Sequence, residues 1–131
     1  MTGLSRSRQF PPDVAAVGAA RAFVLEQLRI DPARCSLVAT ALAEVATNAV
    51  VHARTPFTVT VGRRGELVHV EVADGSPDLP VPKAEDLRAP TGLGLRIVDE
   101  ISARWGAEAT PEGKTVWFDV DVHDGEPTAP T

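Results

Sequence analysis

Cysteine is nearly absent: Cys35 stands alone in 131 residues. One thiol cannot close an intramolecular disulfide, so the fold does not depend on an oxidising compartment. Basic charge is in deficit, with 13 Lys and Arg against 18 Asp and Glu and a formal net charge of −5. That balance excludes the basic stripe that nucleic-acid phosphates or an anionic membrane surface would need. Unbroken apolar runs are missing as well. The basic residues of Met1–Phe10 lead into Pro11-Pro12 rather than into an apolar stretch, so no signal peptide is expected. The longest near-neutral segment, Cys35–Ala53, contains Glu44, Asn48 and His52, and a carboxylate at mid-bilayer is costly. No internal repeat or low-complexity tract is visible, and a cytoplasmic protein is the expectation.

What is there belongs to an ordinary globular chain, with 44% hydrophobic and 24% charged residues. The length allows one domain, expected over residues 10–122. Residues 1–9 read as an N-terminal arm or edge strand, and 123–131 as a disordered, proline-containing tail. Val14, Val17, Val24, Leu25 and Leu28 recur at helical spacing between Asp13 and Arg29. Asp31-Pro32 restarts that pattern, and a second helix should run to about Ala53, before Pro56. The period then changes to two. Phe57, Val59 and Val61, then Val68, Val70 and Val72, alternate with polar residues around a turn at Arg63-Arg64-Gly65.

Residues 75–91 hold four prolines and read as a long loop, a kind that is often functional. After Gly92-Leu93-Gly94, the spacing of Leu95, Val98, Ile101 and Trp105 predicts a third helix that stops at Gly106. A strand near 107–110 and a turn at 111–113 lead to a last strand with Val116, Phe118, Val120 and Val122 on one face. Three helices with one apolar stripe each, and strands with one apolar face, pack economically in two layers. The expected fold is an α/β two-layer sandwich: a mixed, mostly antiparallel sheet of four to five strands with three helices on one face.

Chemistry concentrates at a few points. At 100° per residue Glu44, Asn48 and His52 share one face of the second helix, flanked by Leu37 and Val51. That face is either a half-exposed helix edge with a capped carboxylate, or a site. As a site, Glu44 is a base and Asn48 an oxygen ligand for a hard cation such as Mg²⁺. Asp74-Gly75 ends the second hairpin strand and reads as a turn or as part of the same site. Gly92-Leu93-Gly94 reads as a flexible helix start, or as backbone amides offered to a phosphate. A dinucleotide-binding fingerprint is disfavoured, because the 75–91 loop separates the strand from these glycines.

In order, ALAEVATNAVVHA (41–53), VEVADGS (70–76), TGLGLRIV (91–98) and GKTVWF (113–118) make the pattern specific. Together they resemble the GHKL superfamily of ATP-binding domains (gyrase, histidine kinases, MutL), whose architecture is the Bergerat fold. Within it they look most like the RsbW/SpoIIAB anti-sigma factor serine kinases. The resemblance implies ATP and Mg²⁺ as cofactors, Glu44 as general base and Asn48 as the Mg²⁺ ligand. It implies Asp74 as acceptor for the adenine amino group, with Gly75 letting the base approach. Gly92, Leu93, Gly94 and Leu95 would bind phosphate, and Thr115 would support Asp74. The Asp-x-Gly-x-Gly motif departs at Ser76 and Asp78, where glycines are expected.

A serine/threonine protein kinase in a partner-switching system follows, phosphorylating a STAS-domain anti-sigma antagonist, binding a sigma factor, and forming a homodimer. The alternative is a regulatory module of the same fold that holds nucleotide or protein without phosphorylating. A detached histidine kinase catalytic domain would need a phosphoacceptor hairpin, for which this chain has no residues to spare.

Overall fold

The computed structural model describes residues 5–76 and 90–122. The tail expected at 123–131 and most of the expected 75–91 loop lie outside those residues. The chain runs β1 (Arg6–Phe10), α1 (Val14–Glu26), α2 (Pro32–Asn48), β2 (Phe57–Arg64), β3 (Leu67–Asp74), α3 (Pro90–Ile101), β4 (Arg104–Thr110) and β5 (Gly113–Asp121). The strands form one sheet in the order β1-β2-β3-β5-β4. Every pair in it is antiparallel, so the parallel component implied by a mixed sheet does not occur among the described residues.

The helix starts follow from the sequence. Asp13 Oδ1 accepts from the Ala16 amide at 3.0 Å, and Asp31 Oδ1 accepts from the Arg34 amide at 3.0 Å. Each cap satisfies an amide that has no partner inside the helix. Pro32 follows Asp31 at the first helical position, where its missing N–H costs nothing.

One face of the sheet is apolar and carries the helices. Phe57, Val59, Val61, Val68, Val70, Val72, Val116, Phe118 and Val120 are buried against Phe23, Val24, Val38, Leu42, Val45 and Val98. At roughly 1.5–3 kcal/mol for each fully buried large side chain, this layer is the main stabilising term. The segment Pro32–Ala53 is long and apolar enough to cross a membrane, yet its Val38, Leu42, Val45 and Ala46 belong to this core. Among the described residues no helix lies on the other face.

Two boundaries differ from the expectation. The helix α3 ends at Ile101, not at Gly106, and residues 104–110 form β4, paired along its whole length with β5. Trp105 sits opposite Phe118 and packs on the core from a strand. Its spacing from Leu95, Val98 and Ile101 matches a helix only because both structures turn that side chain inward. The second difference is at the end of α2. Ala49–Ala53 form a π turn, closed by Arg54 in the left-handed conformation at φ 59° with its amide on the Ala49 carbonyl at 3.0 Å.

Candidate functional site

The helix α2 presents Glu44 and Asn48 one turn apart, both half-buried. Leu37 and Val51 beside them keep 40% and 49% of their surface exposed. His52 is exposed within the π turn. The π turn directly follows Asn48 and closes the C-terminal end of the helix. Among the described residues neither Glu44 nor Asn48 has a hydrogen-bonded side-chain partner.

Asp74 is the last residue of β3 and faces the helix side, following Val70 and Val72 at period two. Its side chain is buried and held from two directions. The Ser76 amide donates to Oδ1 at 2.9 Å, and Lys114 Nζ donates to Oδ1 at 3.0 Å while lying 3.0 Å from Oδ2. The strand register places Lys114 directly opposite Asp74.

The backbone around this carboxylate is crowded. The Gly75 amide donates to Thr55 Oγ1 at 2.8 Å, and a Cβ at Gly75 would come within 3.2 Å of Thr55 Cγ2. A Cβ at Gly113 would lie 2.1 Å from the Asp74 carbonyl oxygen and 2.6 Å from Gly75 Cα. Only glycine fits at 113, so the start of β5 lies hard against Asp74-Gly75.

Thr115 lies on the face that the strand alternation gives it, opposite Val116 and Phe118. It pairs with Ala73, so its side chain lies on the sheet face opposite the Asp74 carboxylate. There it lines a shallow depression with Thr58, Ala73, Asp74 and Gly75. The position beside Asp74 belongs to Lys114. The signal was present in the alternation: carrying the inward set Val116, Phe118 and Val120 back by two residues reaches Lys114. Thr55 had no such signal, because its role depends on a contact across 20 residues of chain.

The helix α3 begins at Pro90, two residues ahead of the first glycine, so Gly92, Leu93, Gly94 and Leu95 form its first turns rather than precede it. The amides of Thr91 and Gly92 lie in the first turn, where backbone donors have no intrahelical acceptor. The helices α2 and α3 pack side by side, and α2 also contacts β3. The fold therefore gathers the elements bearing Glu44, Asn48, Asp74 and the Gly92–Leu95 segment around α2. It places Thr115 on the other face of the sheet, in one depression with Asp74, and turns His52 to solvent.

A second polar cluster lies on the bare face. Asp119, 1% exposed, accepts from Arg104 Nε at 2.8 Å and from His69 Nδ1, while His69 Nε2 meets Glu71 Oε2 at 2.9 Å. Burial pushes the Asp119 carboxyl up, but the Arg104 and His69 hydrogen bonds outweigh it and hold the group below its ordinary value. The Trp117 ring covers Gly106, where a Cβ would be only 2.9 Å from Cζ2.

Residues 10–120 match the family model of the histidine kinase-like ATPase domain. Among solved structures, the chain is similar to the RsbU and RsbW domains of Rv1364c from Mycobacterium tuberculosis, with a TM-score of 0.69 and 16% identity. That match covers 91% of this chain and 32% of the other, so the chain spans about a third of that structure's length. No curated protein sequence matches it. The family model covers most of the chain, and the chain belongs to the histidine kinase-like ATPase domain family.

Proposed function

We propose that this member of the histidine kinase-like ATPase family binds ATP with Mg²⁺ and phosphorylates a serine or threonine of a STAS-domain anti-sigma antagonist. In the same partner-switching system it binds a sigma factor, and it acts as a homodimer in the cytoplasm. The observation that carries the nucleotide reading is the buried Asp74 carboxylate, fixed at a strand end beside Gly75. A buried carboxylate held in one orientation is an acceptor ready for a donor such as the adenine amino group.

The oxygen donors on α2 fit Mg²⁺. Asn48 offers an amide oxygen and Glu44 a carboxylate, and no cluster of three or more His, Cys, Asp or Glu suited to a metal occurs among the described residues. A cation that draws most of its ligands from phosphates and water needs only one or two protein oxygens. When bound, Mg²⁺ neutralises charge on the triphosphate. Asn48 would hold it, and the first-turn amides of α3 would take phosphate oxygens at the positive end of the helix dipole. Glu44 orients the acceptor hydroxyl and takes its proton as the hydroxyl oxygen bonds to the γ-phosphorus and the bond to the β-phosphate oxygen breaks, releasing ADP. Most of the rate enhancement then comes from positioning and charge stabilisation.

The test is transfer of labelled γ-phosphate to a co-purified STAS-domain partner. Wild type should label a serine or threonine on that partner, and Glu44→Ala should bind ATP with near-native affinity while transfer falls by roughly 10²-fold or more. Undiminished transfer by Glu44→Ala removes it as the base. Binding without any transfer by the wild type leaves a nucleotide-holding regulator and overturns the kinase reading.

A further inference from the structure

Lys114 is an unexpected neighbour for a carboxylate with the role proposed for Asp74. Both side chains are nearly closed to solvent, at 8% exposure for Lys114 and 3% for Asp74. The hydrogen bonds around them can be counted. A carboxylate has about four acceptor sites and an ammonium three donors. The Ser76 amide and Lys114 Nζ both bond Asp74 Oδ1, and Nζ lies 3.0 Å from Oδ2 as well. One acceptor site is left, on Oδ2. One ammonium N–H is left too, with no acceptor among the described residues. An unused donor on a buried ammonium is costly, so the pair is incomplete as it stands.

We infer that Lys114 is a second base-reading residue, which with Asp74 forms an acceptor–donor edge for the adenine ring. The exocyclic amino group of adenine donates to Oδ2, and the neighbouring ring nitrogen N1 accepts from the ammonium. Asp74 Oδ2 and Lys114 Nζ are 3.0 Å apart, and the amino group and N1 of adenine are likewise neighbours on one edge of the ring. Guanine carries an acceptor and a donor in the reverse order on that edge, so it meets the pair only with its ribose turned to the other side. Gly113 lets the start of β5 pack against the Asp74 carbonyl, which fixes the main chain from which the Lys114 side chain reaches the carboxylate.

The inference rests on the nucleotide reading above, and its test separates the two. Binding of ATP and of 1-deaza-ATP, in which N1 is replaced by C–H, is measured calorimetrically on wild type and on Lys114→Met. Wild type should lose roughly tenfold or more in affinity for the analogue, as expected for a charge-assisted hydrogen bond in a buried site. Lys114→Met should bind both nucleotides equally and weakly. Equal binding of the two by the wild type overturns the role of Lys114 and leaves the nucleotide reading intact. Tighter ATP binding by Lys114→Met overturns it too, because Lys114 would then be shielding Asp74 from the base. No ATP binding by the wild type overturns both.

Should Lys114→Met fail to fold, with Asp74 left buried and unpaired, the native protein still decides. The chain has only two lysines, Lys83 and Lys114, so lysine labelled with ¹⁵N at Nζ gives two assignable signals. ATP should shift the Lys114 signal and slow its proton exchange, whereas 1-deaza-ATP should leave its exchange as in the free protein. The same response to both nucleotides overturns the inference.

Discussion

Asp74 and Asp119 are both buried acids on the β3–β5 ladder, one on each face of the same sheet. Each has a cationic partner close by, and the resemblance ends there. Asp119 accepts from Arg104, whose side chain is 63% exposed, and from His69, whose second nitrogen meets Glu71. Every charge in that cluster is satisfied by protein or reaches water. Asp74 is paired with a lysine as buried as itself, and the pair keeps one donor and one acceptor unused. Burial of a charge therefore does not by itself mark a site. A buried charge whose partner is also buried, with hydrogen-bonding capacity left over, is the better candidate. The bare-face network stabilises the sheet; on the function proposed here the Asp74 end receives the nucleotide.

The comparison can be broken at several points. The largest effect is expected at Gly113. Alanine there would put Cβ 2.1 Å from the Asp74 carbonyl, and the variant should lose about 4 kcal/mol or more, or fail to fold, in thermal denaturation. Asp74→Asn comes next. It leaves the Lys114 ammonium buried without a countercharge, a loss of about 3–5 kcal/mol, and should abolish ATP binding. Asp119→Asn should cost less, about 1–3 kcal/mol, because Arg104 can turn to water. ATP affinity in that variant should stay native. If Asp119→Asn weakened ATP binding as much as Asp74→Asn, the two faces would not be functionally distinct.

The acid limb of stability sharpens the same contrast. The carboxyl of Asp119 is held below its ordinary value of 3.8 in the folded state. Its contribution is therefore fully present above that value and is lost as pH falls through it toward the lower folded pKa. Urea midpoints of the wild type should decline through that window. Asp119→Asn should decline less steeply, and an unchanged slope would mean that the network does not set acid stability.

Period carried most of the fold. The inward valines of β2, β3 and β5 and the capped starts of α1 and α2 are local patterns, and local patterns are legible in one sequence. Trp105 shows where this stops, since an inward aromatic satisfies a helical and a strand period alike, and only the pairing of β4 with β5 decides between them. The π turn after Asn48 has no sequence signature. At the site, Asp74 and Gly75 were legible as residues, but the neighbour of Asp74 depended on strand register. A shift of one residue exchanges Thr115 for Lys114 and moves the side chain to the other face. The Asp119, His69 and Arg104 cluster was hidden for the same reason: its members are far apart in sequence and meet only across three strands.

On the function proposed here, the Asp74 end of the sheet is a nucleotide site and the Asp119 face is not. Calorimetric titration of Mg-ATP into wild type and Asp74→Asn tests it most directly. Saturable one-site binding by the wild type, lost in Asp74→Asn, is the predicted result. Absence of binding by the wild type, or equal binding by both, would contradict it.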